Sequence, residues 1–502
     1  MPALYKLLNY LHSIYEAGCM KYFHLFFACV PACFLFISSA AQTIIPRFNN
    51  DTAKSMGIDS SSKLRITSIN VKGNKKTKTY IILREIQLKP GDSVVAGELY
   101  KNLQQAQQQV YNTFLFTDVQ VTSEFISASE IKMNVTVKEK WYIYPTPQFQ
   151  LVDRNFNEWL KLYNGSLSRV IYGAKFAHYN LTGRRDQLRI YLLSGYARNL
   201  SFSYTTPSSN NKLTEGFGVS AGYTQNREIA YRTSYDNKLL QYKNQNSFVR
   251  NVLSISASYH VRKGFFKQHQ YRVAYSYLNV TDSILAPVYN PSYFNSAKSS
   301  AGFPDFIYSF QSINTNNNHY PLTGKIYGLT LVKRGLGFSG GVNMFSVDGS
   351  FYKYIAHQHN WYSSIELDAK IKLPFKQAFI NQRALGFQEF YLRGLEFYVI
   401  DGVAATLAKY TLKKKIISFK IPVPFHIKTL PVIPFTIFAK TYADAGYSYN
   451  KKELNSRLNN RLLYTGGFGI DVLTFYDFNF KIEYSFNQLG EKGLFLHGKG
   501  GF

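Results

Sequence analysis

Gly337-Phe338-Ser339-Gly340-Gly341 fits the G-x-S-x-G pattern of a hydrolytic serine. That pattern needs a strand turning sharply into a helix, which lifts the serine oxygen clear of the sheet. The residues from Val342 onward carry strand and turn signals instead, and no histidine is placed to serve as the base. Gly493 to Lys499 has the spacing of a phosphate-binding loop. Gly500, however, stands where a Ser or Thr must meet magnesium, and no helix follows. The 10 histidines are scattered; only His357 and His359 lie close together, on what reads as a surface loop rather than a metal site. All 3 cysteines, Cys19, Cys29 and Cys33, precede position 42, so the rest of the chain offers no thiolate for a metal or for covalent catalysis. The chain is expected not to be an enzyme and to carry no cofactor and no metal.

The N-terminal segment points to export. After Met20 come Lys21, the apolar run Leu25 to Ile37, and the small residues Ser39-Ala40-Ala41 ahead of Gln42. A charged start, a short apolar core and a small-residue exit are the parts of a secretory signal. The run is too short to anchor a helix across a bilayer. Residues 1–41 are expected to be a signal peptide with an upstream extension, the start codon being Met1 or Met20. The formal charge of +28 would suit nucleic acid if it formed a stripe, but the basic residues are interleaved with apolar ones throughout. Nucleic acid is therefore set aside in favour of anionic lipid, lipopolysaccharide included, as the partner of this charge.

Residues 42–63 are polar, with Pro46 and Gly57, and read as a flexible linker. Residues 64–142 then read as a small α+β domain of βααββ order. Ile69 and Val71 close a strand that ends at Gly73-Asn74, and Tyr80 to Leu88 forms a short helix stopped at Pro90-Gly91. Leu99, Leu103, Ala106 and Val110 recur at helical spacing, and Val119 and Val121 mark a strand. Ile131, Met133, Val135 and Val137 alternate with polar residues, the mark of a strand with one buried face.

From residue 143 to 502 the helical signal is gone and period-two segments take over. Leu253, Ile255, Ala257, Tyr259 and Val261 alternate with serines and His260. Phe217, Val219, Ala221 and Tyr223 do so with glycines, Ser220 and Thr224, and Phe478, Phe480, Ile482, Tyr484 and Phe486 with Asn479, Lys481, Glu483 and Ser485. A wholly apolar face opposite one of Asn, Lys, Glu and Ser predicts a transmembrane antiparallel β-barrel, apolar side to lipid and polar side to a watery lumen. The 40 Tyr and 40 Phe fit strands and interfacial girdles. A soluble sandwich could alternate too, but this length would need two or three of them and no domain break is present. An outer-membrane phospholipase is the enzymatic rival, through Ser339.

The stretches VKGNKKTKTYIILREIQLKPGD and VYNTFLFTDVQV resemble a POTRA domain, which precedes the barrel in the superfamily of BamA-like assembly factors and two-partner secretion translocators. FYLRGLEFYVIDG resembles that superfamily's Arg-Gly motif, carried on a loop that folds back into the lumen, and FAKTYADAG the strand whose acidic residue meets the arginine. GGFGIDVLTFYDFNFKIEYSFN, with Phe502 at the end, resembles the closing strands of Bacteroidetes-type members. The order of these motifs makes the combination fairly specific.

The resemblance implies sixteen strands, a single POTRA domain in the periplasm, and a barrel in the outer membrane of a Gram-negative bacterium. It assigns Arg393 and Gly394 to the loop tip, Asp444 to the wall carboxylate and Phe502 to barrel closure. Thr411 stands where relatives often carry a second acid, so the arginine is expected to have one wall partner, with Asp471 a candidate to share it. The implied function is assembly of outer-membrane proteins, the POTRA domain adding client strands to its sheet at the edge strand bearing Ile131, Met133, Val135 and Val137, or at the 64–71 strand. Unfolded outer-membrane or secreted proteins would be the clients, with periplasmic or lipoprotein accessory subunits. A dedicated translocator and a passive pore are the alternatives.

Overall fold

The computed structural model describes residues 59–151, 164–210, 212–337, 341–422, 432–450, 456–475 and 478–499. The signal segment, Ser339 and Phe502 lie outside them.

The first domain holds β1 (Lys63–Lys72), α1 (Thr79–Leu83), β2 (Ser93–Val95), α2 (Ala96–Tyr111), β3 (Phe116–Ser127) and β4 (Glu130–Glu139). Its sheet order is β2-β1-β4-β3. Leu99, Leu103, Ala106 and Val110 of α2 are buried, as are Ile131, Met133, Val135 and Val137 of β4. Burying each of these side chains other than that of Ala106 contributes roughly 1.5–3 kcal/mol. Gly73 closes β1 at φ +91°, where a Cβ would sit 2.0 Å from the Val137 carbonyl oxygen, so only glycine fits. Helix α1 ends at Leu83 rather than Leu88, and Glu85 and Ile86 continue as tighter turns onto Ile82 and Leu83.

One expectation is corrected here. The strand bearing Ile131, Met133, Val135 and Val137 is not an edge: β4 pairs in parallel with β1 and antiparallel with β3, so its backbone groups are used on both sides. Among the described residues the outer strands of this sheet are β3 and the short β2. Strand β1 pairs with β4 on one side and, over Lys63–Arg65, with β2 on the other.

The second region is a sixteen-stranded antiparallel sheet. Its first five strands are β5 (Ile143–Leu151), β6 (Val170–Tyr179), β7 (Gln187–Gly195), β8 (Ala197–Thr206) and β9 (Glu215–Asn226). A hairpin, β10 (Glu228–Thr233) and β11 (Leu239–Lys243), stands outside the wall. The wall resumes with β12 (Arg250–Lys263), β13 (Lys267–Val280), β14 (Ser300–Thr315), β15 (Gly324–Arg334), β16 (Met344–Ala356) and β17 (Trp361–Leu373). A long loop carries the small hairpin β18 (Arg383–Leu385) and β19 (Ile400–Asp401). The last five strands are β20 (Ala404–Pro422), β21 (Val432–Tyr449), β22 (Leu462–Leu473), β23 (Asn479–Asn487) and β24 (Lys492–Lys499). Among the described residues no ladder joins β24 to β5.

Burial along these strands is inverted relative to a soluble sheet. On β23, Phe480 and Ile482 are 48% and 42% exposed while Glu483 and Ser485 are 2% and 1% exposed. Apolar side chains facing out and ionic ones buried inside identify a membrane barrel, because only lipid makes that arrangement stable. A sandwich would show the reverse. No described helix is long and apolar enough to cross a membrane. Gly493 to Lys499 forms part of β24, so the phosphate-loop spacing has no loop behind it. His357 and His359 lie around a short turn, where His357 Nε2 is 2.7 Å from Ser363 Oγ.

Candidate functional site

The loop between β17 and β20 turns inward and covers its own apolar residues against the wall. Leu385, Leu392, Leu395 and Ile400 are buried in one cluster with Ala405, Leu407, Leu458 and Leu463 from β20, β22 and the loop before β22. This packing delivers Arg393 and Gly394 to the inner face of β20 to β23.

There the guanidinium makes a fork. Arg393 Nε donates to Asp444 Oδ2 at 2.9 Å and Nη2 to Asp444 Oδ1 at 2.5 Å, and the Arg393 backbone N–H donates to Oδ2 at 3.0 Å. Nη1 donates to Thr411 Oγ1 at 3.0 Å. The guanidinium carbon lies 3.9 Å from the centre of the Tyr442 ring, whose hydroxyl is 2.6 Å from Ser485 Oγ. The two side chains are 11% and 0% exposed. A planar, always-charged fork satisfies both carboxylate oxygens and stacks on an aromatic face, which an ammonium cannot do. Gly394 takes φ +87°, and a Cβ there would sit 2.7 Å from Ser485 Cβ. Glycine is therefore required twice, by conformation and by space.

The second-carboxylate expectation needs correction. Asp471 does not meet the arginine: it is paired with Lys440 and, at 3.5 Å, with Lys413, and accepts from the Tyr320 hydroxyl at 2.6 Å. The carboxylate that does approach Arg393 is Glu483, with Oε1 4.0 Å from Nη1. Lys440 bridges the two acids, its Nζ 2.5 Å from Glu483 Oε1. Each ion is desolvated, and each is paired, the condition under which buried charge is tolerated. His497 Nε2 on β24 lies 3.2 Å from Glu483 Oε2 and 3.0 Å from Glu396 Oε1 on the loop, linking the loop to the last strand. Glu483 sits on the polar face that the period-two pattern assigns to the lumen; nothing in the pattern picks it out from Lys481 or Ser485.

The POTRA-like domain docks on the barrel's near-side turns. Arg262 at the end of β12 grips Glu85 with two bonds of 2.5 and 2.6 Å. Arg84 Nη2 donates to the Gly264 carbonyl at 2.9 Å, and Lys78 N to the Gly183 carbonyl at 3.0 Å. Burial raises the Glu85 carboxyl, but the Arg262 bonds and charge outweigh it and hold it below the usual carboxylate range.

Residues 64–140 match the protein family described as "POTRA: Surface antigen variable number repeat". Among solved structures, the chain is similar to BamA from Haemophilus ducreyi lacking POTRA domains 1–3, with 14% identity, TM-score 0.48, and 87% of this chain and 84% of that one covered. It is also similar to CdiB from Escherichia coli, with 10% identity, TM-score 0.47 and coverage of 88% and 76%. CdiB from Acinetobacter baumannii is similar at 11% identity and TM-score 0.43, covering 87% and 73%. No curated protein matches the sequence. This chain therefore joins a domain of the POTRA family to a sixteen-stranded antiparallel barrel.

Proposed function

We propose that this protein inserts client β-strands into the outer membrane of a Gram-negative bacterium, with its POTRA domain in the periplasm. The observation that carries the reading is the loop pinned within the barrel: the Arg393–Asp444 fork occupies the inner face of β20 to β23. Pinned there, the loop takes up part of the lumen. A loop held by a few named contacts can instead be released when a client arrives.

The remaining parts suit the same task. Client segments would add to the outer edge of β3, which pairs on one side with β4. The unladdered edges of β24 and β5 would then template the incoming strand, since an unpaired strand edge offers backbone groups that lipid leaves unsatisfied. On this reading residues 1–41 are cleaved, 64–142 capture, 143–502 insert, and Phe502 closes the barrel. The clients are unfolded outer-membrane proteins, helped by accessory subunits, and the protein is not an enzyme.

Depletion followed by a census of outer-membrane proteins tests this. Broad loss of barrel proteins is the expected result. Loss of one secreted protein alone would assign the chain to dedicated translocation, and ion conductance with no client effect would make it a pore.

A further inference from the structure

The periplasmic turn between β14 and β15, residues 316–323, touches both the POTRA domain and the charged inner wall. On the domain side, Asn112 at the end of α2 donates from Nδ2 to the Thr315 carbonyl at 3.1 Å. It also accepts from the Asn318 N–H at 3.1 Å. The Phe114 and His319 rings pack next to this, tilted by 53° with centres 3.9 Å apart. On the barrel side, Tyr320 is buried, packs on Phe438 and donates to Asp471 at 2.6 Å, with Lys413 Nζ 4.1 Å from its ring centre. From Asp471 the ion pairs run through Lys440 to Glu483 and on to Arg393.

The turn itself is stiff. Its run Asn316-Asn317-Asn318 looks like a loose polar loop by composition, yet each side chain is committed. Asn316 Oδ1 accepts from the N–H groups of Leu322 and Thr323, both at 3.0 Å, and Asn317 Oδ1 from those of His319 and Tyr320 at 2.8 and 3.2 Å. Asn318 Oδ1 accepts from Thr315 Oγ1 at 2.6 Å. Asparagine side chains that bond the backbone just ahead fix a turn as a backbone ladder would. A rigid piece with a specific contact at each end moves as a unit, so displacing one end disturbs the other.

We propose that this turn couples POTRA docking to the Arg393 loop, with Tyr320 as its positioning residue. When α2 is seated on the turn, Tyr320 holds Asp471, Asp471 and Glu483 share Lys440, and Glu483 stays beside the arginine. When a client draws the domain away, Asn112 leaves, Tyr320 loses its support, and the ionic set that steadies the loop relaxes. The consequence for clients rests on the proposed function; the coupling itself does not, and its test uses no client.

The test is made on the full chain in detergent, with the native cysteines replaced and Ala384→Cys, buried in the seated loop, placed there as a reporter. The labelling rate by a polar maleimide reads loop opening, and the heat-dependent gel shift checks that each variant is folded. Arg393→Ala should raise the rate; if it does not, the loop lock is mistaken, whatever the turn does. Tyr320→Phe keeps the ring and removes only the bond to Asp471. It should raise labelling on the order of tenfold, the factor carried by one hydrogen bond to a charged group. Asn112→Ala touches neither the loop nor the ions, and should raise the rate at least about two- to fourfold, since it removes two neutral bonds. Glu98→Ala at the exposed start of α2 should leave the rate unchanged. Folded Tyr320→Phe and Asn112→Ala variants that both label like the parent would overturn the coupling. A response to Tyr320→Phe alone would overturn it as well, since the turn would then steady the loop without reporting on the domain.

Discussion

The inner faces of β9 and β12 and those of β20 to β23 obey the same period-two rule and are made of different material. Along the middle of β9 and β12 the lumen side is small and neutral: Ser220 Oγ lies 2.9 Å from Ser256 Oγ, Ser258 is bonded to His260 at 3.1 Å, and Gly218 and Gly222 lie between. Along β20 to β23 it carries Lys413, Lys440, Asp444, Asp471 and Glu483, clamped by an arginine from a loop. Alternation tells which face is wet. It does not tell whether that face is a lining or a lock.

The largest expected effect lies at the lock. Arg393→Ala leaves a buried Asp444 without its fork, which costs up to about 3–5 kcal/mol, less where lumen water reaches the carboxylate. The heat needed to shift the folded band on a gel should fall markedly. Asp444→Asn should match it, and the double variant should be little worse than either single, because both remove one interaction. Arg393→Lys should recover only part. Simple additivity of the two single effects would show that the fork does not carry the stability of this wall.

Next comes the docking pair. With its carboxyl held low by Arg262, Glu85 contributes to docking above the ordinary glutamate value, about 4.3, and that contribution is lost as pH falls through the lower docked value. Acidification should therefore free the POTRA domain, read as faster proteolysis between the domain and β5. Glu85→Gln should free it already at neutral pH, at a cost of about 3 kcal/mol from the unpaired Arg262. A variant that stays docked, or a parent whose cleavage is flat between pH 7 and pH 3, would show that other turns hold the domain.

Gly394→Ala should cost about 1–3 kcal/mol, since alanine resists the positive φ and its Cβ meets Ser485. Ser485→Gly should relieve the clash but not the backbone strain. Full rescue would mean that space alone selects glycine there.

Much of this was legible in the sequence, for physical reasons. The apolar stripe of Leu253, Ile255 and Tyr259 is visible because successive side chains on a strand must point to opposite faces. Arg393, Gly394 and Asp444 were legible only by resemblance; no spacing rule places a loop residue against a strand fifty positions later. Glu483, Lys440 and Tyr320 escaped because their partners come from three strands and a turn far apart in the chain. The misjudged edge has a similar cause. Ile131, Met133, Val135 and Val137 show one buried face whether β4 has one neighbour or two, and the parallel partner β1 lies some sixty residues away. Alternation reports the faces of a strand and is blind to its edges.

The smallest effect is expected on the neutral face, and it tests the comparison most directly. Ser256→Ala removes one hydroxyl of the Ser220–Ser256 pair and adds no bulk. Ser220 keeps access to water in the lumen, so no buried group is left unsatisfied, and the lost bond between neutral hydroxyls contributes only about 1 kcal/mol or less. The heat-shift midpoint should therefore move little, and loop labelling at Ala384→Cys should not change, since Ser256 lies outside the ionic set around Arg393. The same chemistry at Asp444, a carboxylate replaced by an amide of equal size, should move both readouts. If Ser256→Ala destabilises the barrel as much as Asp444→Asn does, the neutral face is as tightly determined as the charged one. The difference between lining and lock would then be one of charge alone, not of mechanical role.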